Sequence, residues 1–113
     1  MIITQPDEFR DKIKRFIHDY ITDETQSNNI EKSIYNYSIK KSEHYNIKKR
    51  WDNPLFVLLY LDKFKIIHQC LKDTQILHKL QTDPEFCKDI SFKSEQELYP
   101  EYWKEMTEEK KHI

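Results

Sequence analysis

The stretch NPLFVLLYLDKFKIIHQCLKD, residues 53–73, carries the strongest helical signature of this 113-residue chain. Asn53 and Pro54 form a typical helix start, because an Asn side chain can cap the first turn and Pro fits the first helical position. The next two turns are apolar nearly all round, and such a helix is usually buried by neighbours on several sides. We therefore predict a helix from Pro54 to about Asp73 at the centre of the fold.

The second half of this predicted helix mixes apolar residues with lysines. Its inward stripe narrows to Phe64, Ile67 and Leu71. Lys63 and Lys65 are two residues apart, so they lie on different sides of the helix. We expect both at the surface together with Lys72, either as a solvated face or as rim charges that meet an acidic partner.

Two further helices are predicted ahead of this one. Residues 6–21 place six apolar side chains on one face at helical spacing: Phe9, Ile13, Phe16, Ile17, Tyr20 and Ile21. Residues 22–29 are a polar break, at the end of which Asn28 resembles an N-cap with Glu31 as its capping-box partner. A second helix is predicted over residues 30–41, with Ile30, Ile34 and Tyr37 buried.

Shorter segments complete the predicted fold. Residues 41–52 are interpreted as a connection and residues 74–81 as a short helix, and Asp83-Pro84 opens a further turn. Ser94 and Glu97 form an S-x-x-E capping box. Beyond them we predict an amphipathic tail with Trp103 and Met106 on one side. The fold class is all-α, a small three-helix bundle with additional short C-terminal helices.

The composition favours a single intracellular domain. Basic and acidic residues nearly balance, 19 against 20, so no global charge argues for nucleic acid as a partner. The chain has no Gly, so Asn or Asp must supply any turn with positive φ, which disfavours an all-β fold. The longest apolar run, residues 55–61, is too short to span a bilayer, and no signal peptide is visible. We expect a monomer without a membrane anchor.

No motif gives a positive reason to expect an enzyme. A zinc set from His68, Cys70, His78 and Cys87 is disfavoured, because residues two apart on a helix face away from each other and no C-x-x-C is present. Without Gly, no phosphate-binding loop of the P-loop type can form. The cysteines are expected in the core or at its boundary.

One segment leaves nucleic acid open as an alternative partner. KKSEHYNIKKRW, residues 40–51, interleaves basic residues with Tyr45 and Trp51. Aromatic rings among lysines can stack bases, although a basic solvated connection gives the same pattern. The balanced net charge predicts weak binding or none.

Four segments, in order, resemble the central domain of the transcription elongation factor TFIIS. FRDKIKRFI, residues 9–17, is similar to the family's opening helix, and NIEKSIY, residues 29–35, to its I-E-x-x-I-Y motif. YLDKFKIIHQCLKD, residues 60–73, resembles the family's basic helix that ends in L-K-D. FKSEQELYPEYW, residues 92–103, resembles its F-x-M-T/S-x-x-E-L-x-P-E-x-W ending, in the form seen in large DNA viruses.

The resemblance implies a binding module of a transcription factor. Residues 1–105 would form a bundle that docks on the jaw and funnel side of DNA-dependent RNA polymerase, on its largest subunit. Residues 106–113 would begin a linker or tail. The residues expected to meet acidic polymerase surface are Arg10, Lys12, Lys63, Lys65 and Lys72.

The sequence also departs from the family's pattern. The family's Asn before L-K-D is Cys70 here, and the K-N-P that should follow is replaced by residues 74–76. The family stimulates transcript cleavage through a C-terminal zinc ribbon with four cysteines and an acidic tip, which this sequence lacks. We therefore expect no cofactor and no catalysis in this chain. It is expected to be part of a longer factor or a stand-alone polymerase-binding inhibitor, in the nucleus, a viral factory or a virion.

Overall fold

Three long helices begin the chain and shorter ones follow. The computed structural model describes residues 2–99. Its helices are α1 (Pro6–His18), α2 (Glu24–His44), α3 (Pro54–Lys72), α4 (Thr74–Thr82), α5 (Pro84–Asp89) and α6 (Glu95–Leu98), with a 3-10 turn at Ile90–Phe92. No strand occurs within residues 2–99, so the predicted all-α bundle is confirmed. The predicted tail with Trp103 and Met106 lies outside the described residues.

The helix starts read from the sequence at α3 and α6 are confirmed. Asn53 Oδ1 accepts a hydrogen bond from the Leu55 N–H at 3.1 Å. Ser94 Oγ accepts one from the Glu97 N–H at 3.2 Å. Asp73 caps α4 in the same way. Short polar side chains therefore satisfy amide groups that the first turn of a helix leaves unpaired.

The start of α2 was predicted wrongly. The helix begins at Glu24, inside the predicted polar break, and Asp23 is its N-cap, accepting from the Gln26 N–H at 2.9 Å. Asn28 has the spacing of a capping box with Glu31, but both lie inside the helix. The Glu31 side chain turns into the core, so it cannot serve as an exposed capping partner.

The end of α2 shows how a chain without Gly turns out of a helix. The helix ends at His44, and Asn46 takes a φ of 55°. The Ile47 N–H donates to the Ser42 carbonyl at 2.7 Å, and the Asn46 N–H to the Glu43 carbonyl at 3.3 Å. This is a Schellman motif with Asn in the position where Gly is usual. The expectation that Asn supplies positive φ is confirmed here.

The predicted apolar face of α1 holds in part. Ile13, Ile17 and Ile21 are buried, whereas Phe16 is 54% exposed. The helix ends at His18, and Ile21 reaches the core from the turn that follows.

α2 and α3 share the centre of the fold, because α3 packs against α1, α2, α4 and the 3-10 turn, so the central position predicted for α3 holds in part. α2 packs against α1, α3, α5 and the 3-10 turn. On α3, Ile67 and Leu71 are buried as predicted, but Leu55 and Leu58 are 56% and 53% exposed. The apolar start of α3 therefore lies partly at the surface, and its composition alone overstated its burial.

Serines allow α2 to be central despite its polar sequence. Its buried serines are Ser27, Ser33, Ser38 and Ser42. Each hydroxyl donates to a carbonyl three or four residues earlier in the same helix. The chain has neither Gly nor Ala, so Ser is its smallest residue. The hydrogen bonds within the helix offset the free energy that burying each hydroxyl would otherwise require.

We expect size, rather than polarity, to matter at Ser38, which is 0% exposed. Ser38→Leu should lower the free energy of unfolding by about 1–3 kcal/mol, because added methylenes do not fit a packed helix contact. Ser38→Ala should stay within about 1 kcal/mol of wild type, since it loses one internal hydrogen bond and gains helix propensity. Urea unfolding followed by circular dichroism measures both. Equal losses for the two variants would contradict the role given to size.

Candidate functional site

A buried ionic network joins α1, α2 and α3. Arg10 donates from Nε and Nη2 to the two carboxylate oxygens of Glu31, the Nη2 bond being 2.8 Å. Tyr60 donates its hydroxyl to Glu31 Oε1 at 2.9 Å. Glu31 and Tyr60 are both 0% exposed. The carboxylate thus receives three donors from two other helices, including a two-pronged guanidinium contact of the strong kind.

Contacts within the network favour a charged Arg10 and a protonated Tyr60. The hydrogen bond to Glu31 raises the pKa of Arg10. Burial, together with the Glu31 charge, raises the pKa of Tyr60. Arg10 therefore remains cationic and Tyr60 remains a hydroxyl donor at neutral pH.

Aromatic rings shield this network from water. The Arg10 guanidinium carbon lies 4.1 Å from the centroid of the Tyr35 ring. Trp51 stacks on Tyr35 with the ring centroids 6.1 Å apart and the planes at 11°. Trp51 also contacts Phe9 and Tyr60 through ring edges, at 5.7 and 5.2 Å. Hydrogen bonds in such a low-dielectric setting are stronger than in water.

Arg10 was predicted to be an exposed residue that contacts a partner. The predicted exposure is wrong. Only 23% of its side chain is exposed, and its guanidinium is held by Glu31 and Tyr35. Sequence reasoning missed the pair because it interpreted Glu31 as a capping residue. Its pairing with an Arg twenty-one positions away becomes visible only once α1 and α2 are packed.

Lys63 was also expected to be exposed, and this was wrong. The residue is 9% exposed, and its Nζ lies 4.3 Å from the centroid of the Tyr37 ring. Burial lowers the pKa of Lys63. The physical reason is its position, three residues after Tyr60 and four before Ile67, which places it on the inward side of α3.

The remaining predicted partner residues lie at the surface, as expected. Lys12 on α1 and Lys65 and Lys72 on α3 are all exposed. Lys65 and Lys72 are seven residues apart, two helical turns, so they share one face of α3. The structure thus divides the five predicted residues into two that make contacts within the fold and three that are available to a partner.

The structure also contains a cluster of lysines that was not predicted as a site. We call it the basic cleft: a cavity of about 420 Å³ between α2, α3 and the segment that follows α5. Its lysines and rings are Lys40, Lys41, Lys63, Lys93, Tyr37 and Phe92. No carboxylate belongs to the lining that is described within residues 2–99. Lys40 and Lys41 had been noted in the sequence, but Lys63 and Lys93 come from distant segments, so their convergence had no local signal.

The rings of the basic cleft hold its ammonium groups close together. Tyr37 and Phe92 meet at a centroid distance of 5.9 Å and an angle of 66°. Lys41 Nζ lies 5.7 Å from the Tyr37 centroid, and Lys40 Nζ lies 5.7 Å from that of Phe92. With Lys63 over Tyr37, three cations lie within cation–π range of two touching rings.

The segment proposed for base stacking, residues 40–51, is divided by the fold. Trp51 packs in the aromatic cluster around Tyr35, so its ring is committed to the core. Tyr45 remains 59% exposed. Arg50 pairs with Asp52 at 2.7 Å. The segment therefore offers one exposed ring, which contacts His44, rather than the two that the sequence suggested.

The cysteines lie in the core, as expected. Cys70 and Cys87 are both buried and free. Cys87 Sγ donates to the Leu80 carbonyl at 3.0 Å, and burial raises the pKa of its thiol to about 11. In the part of the chain that is described, no group of three or more His, Cys, Asp or Glu side chains is placed to hold a metal ion. None of the helices within residues 2–99 is long and apolar enough to cross a bilayer.

Comparisons with known proteins do not assign the chain to a family. No family model matches it, and no curated protein and no solved structure is found to be similar.

Proposed function

We propose that this chain is an RNA polymerase-binding module of a TFIIS-like elongation factor. The observation that carries the proposal is the network around Glu31. Arg10, Glu31 and Tyr60 belong to three separate segments on which the resemblance to TFIIS rests, and they meet at hydrogen-bond distance. Each segment alone is a weak signal. Their convergence gives the three motifs one shared physical role in this chain, which supports treating them together.

The proposed mechanism is binding rather than catalysis. The network around Glu31 fixes the relative positions of α1, α2 and α3. Lys65 and Lys72 are then presented on one face of α3, and Lys12 on α1. On this account they meet acidic surface on the largest polymerase subunit. Exposed charges of this kind act mainly through the association rate and its salt dependence.

The proposal predicts a graded loss of polymerase binding when the exposed lysines are reversed. Lys65→Glu and Lys72→Glu should each weaken binding by about 1 kcal/mol or less, up to roughly fivefold. The association rate should fall more than the dissociation rate rises. Biolayer interferometry with purified RNA polymerase from the source organism, at 50 and 200 mM salt, measures both rates.

Lys32→Glu is the matched control, because Lys32 is an exposed lysine on a different helix, α2. It should bind polymerase like the wild type. If the α3 variants and the Lys32 variant bind alike at low salt, the docking face has been assigned wrongly. If the wild type itself does not bind, the proposed function fails.

A further inference from the structure

The basic cleft brings together lysines from three segments of the chain. Lys63 is 9% exposed, yet no carboxylate whose side chain the structure describes forms an ion pair with it, or with Lys40 or Lys41. Lys93 has a carboxylate neighbour, Glu97 Oε2, at 3.7 Å. A buried cation is normally paired. An ammonium on a largely buried side chain, without an anion and beside further lysines, is the arrangement expected of an anion site without its ligand.

The pKa of Lys63 agrees with this geometry. It is lowered chiefly by burial and, after an opposing effect of Cys70, by the Lys41 charge. Both effects disfavour the ammonium form while the cleft holds no anion. An anion bound among these lysines would offset both of them.

The shape and chemistry of the basic cleft favour a phosphate group. A phosphate carries up to two negative charges and three acceptor oxygens on one centre, which suits several converging ammonium groups, each with three donors. Peptide carboxylates carry one charge each on separate residues. Ser94 lines the cleft as well, and its hydroxyl is a further group that can donate to a phosphate oxygen. The volume, about 420 Å³, is within the range of small-ligand sites.

The position of Phe92 indicates that the phosphate belongs to a ligand with an aromatic base. Its ring is 45% exposed at the wall of the cleft, although it contacts Tyr37 and Lys40. An exposed aromatic ring beside lysines is the usual platform on which a base stacks while its phosphate is neutralised.

We propose that the basic cleft binds the phosphate of a nucleotide, with Lys40, Lys41, Lys63 and Lys93 around the phosphate and Phe92 against the base. The nucleotide could be free or the end of a single strand, since both present the same group. This site does not depend on polymerase binding. It also differs from the aromatic-interleaved connection first considered for nucleic acid, because Lys63, Phe92 and Lys93 are essential to it.

The test compares two triple variants that lose the same charge. Lys40→Gln/Lys41→Gln/Lys93→Gln neutralises the cleft, and Lys48→Gln/Lys65→Gln/Lys72→Gln removes three exposed lysines outside it. Isothermal titration of the full chain uses AMP, inorganic phosphate, a 5′-phosphorylated hexathymidylate and a tetraglutamate peptide. The full chain is used so that competition from its own carboxylates, including those of residues 100–113, is part of the measured affinity.

We expect AMP or the oligonucleotide to bind the wild type and the control alike, and the cleft variant at least about tenfold more weakly, as for loss of several phosphate contacts. The oligonucleotide should show a log–log salt slope of about −2 for three neutralised contacts, lost in the cleft variant. Tighter binding of AMP identifies a free nucleotide, and tighter binding of the oligonucleotide identifies a strand end. Equal weakening in both triple variants, a preference for tetraglutamate, or no binding at millimolar ligand would overturn the proposal.

Lys63→Met separates a ligand site from a purely structural lysine. If Lys63 serves ligand binding, this variant should unfold at a higher urea concentration than the wild type, because a desolvated charge is removed, and should bind phosphate ligands about tenfold more weakly. If Lys63 is retained for its contact with Tyr37, the variant should unfold at a lower concentration with ligand binding unchanged. The second pattern would contradict the proposal.

Discussion

Glu31→Ala is expected to lower the free energy of unfolding by about 2–4 kcal/mol, a large share of the stability of a domain this size. The substitution leaves the Arg10 guanidinium without its carboxylate, and the fully buried Tyr60 hydroxyl loses its acceptor. The lower end of the range reflects Arg10, whose side chain is 23% exposed and can recover some hydration. Urea unfolding monitored by circular dichroism and by tryptophan fluorescence measures the loss.

Glu43→Ala is the matched control for Glu31→Ala. Glu43 is on the same helix and pairs with Lys49, but both partners are exposed, so the expected cost is about 0.5 kcal/mol or less. A double-mutant cycle with Arg10→Met adds a second check, because removing both charges should cost less than the sum of the single changes. If Glu31→Ala and Glu43→Ala cost the same, the buried network does not hold the three helices together.

Ile34→Ala is expected to lower the free energy of unfolding by about 2–4 kcal/mol. Ile34 is 0% exposed on α2, the helix that contacts α1, α3, α5 and the 3-10 turn. Removing three carbons at the centre of a packed core costs their transfer free energy plus that of the cavity they leave. Chemical denaturation measures this, and the unfolding slope should remain that of the wild type.

Ile66→Ala provides the comparison on α3. Ile66 is 50% exposed, so the same chemical change should cost about 1 kcal/mol or less. The sequence pattern predicts the same ranking, because it places Ile34 on the buried face of α2 and leaves Ile66 outside the inward stripe of α3. An Ile66 variant as destabilised as the Ile34 variant would contradict the burial that the fold gives these two residues.

The features that the sequence predicted correctly are those fixed by neighbours along the chain. The start of α3 is decided by Asn53 and Pro54, and that of α6 by Ser94, because capping acts within one turn. The need for Asn at a positive φ follows from composition alone and appears at Asn46. These local rules were sufficient for an all-α fold.

The features that the sequence missed depend on which helix faces meet. Glu31 matched a capping pattern, and only the packing of α1 and α3 against α2 showed its partners, Arg10 and Tyr60. No local pattern indicated that serines of α2 would be buried, whereas here Ser is the smallest side chain in the sequence and four of them lie in the core. Lys63 was predicted to be a solvated charge, because the sequence does not show that α2 and the segment after α5 lie beside it.

The central claim, that this chain docks on RNA polymerase as a TFIIS central domain does, is tested most directly by competition. A fluorescently labelled central domain of a TFIIS that acts on the same polymerase is bound to the purified enzyme, and its anisotropy is followed as the unlabelled chain is added. We predict complete displacement at low salt, with a Lys65→Glu/Lys72→Glu variant competing more weakly. Anisotropy that stays unchanged at concentrations of the chain far above those needed by unlabelled TFIIS domain would contradict the claim.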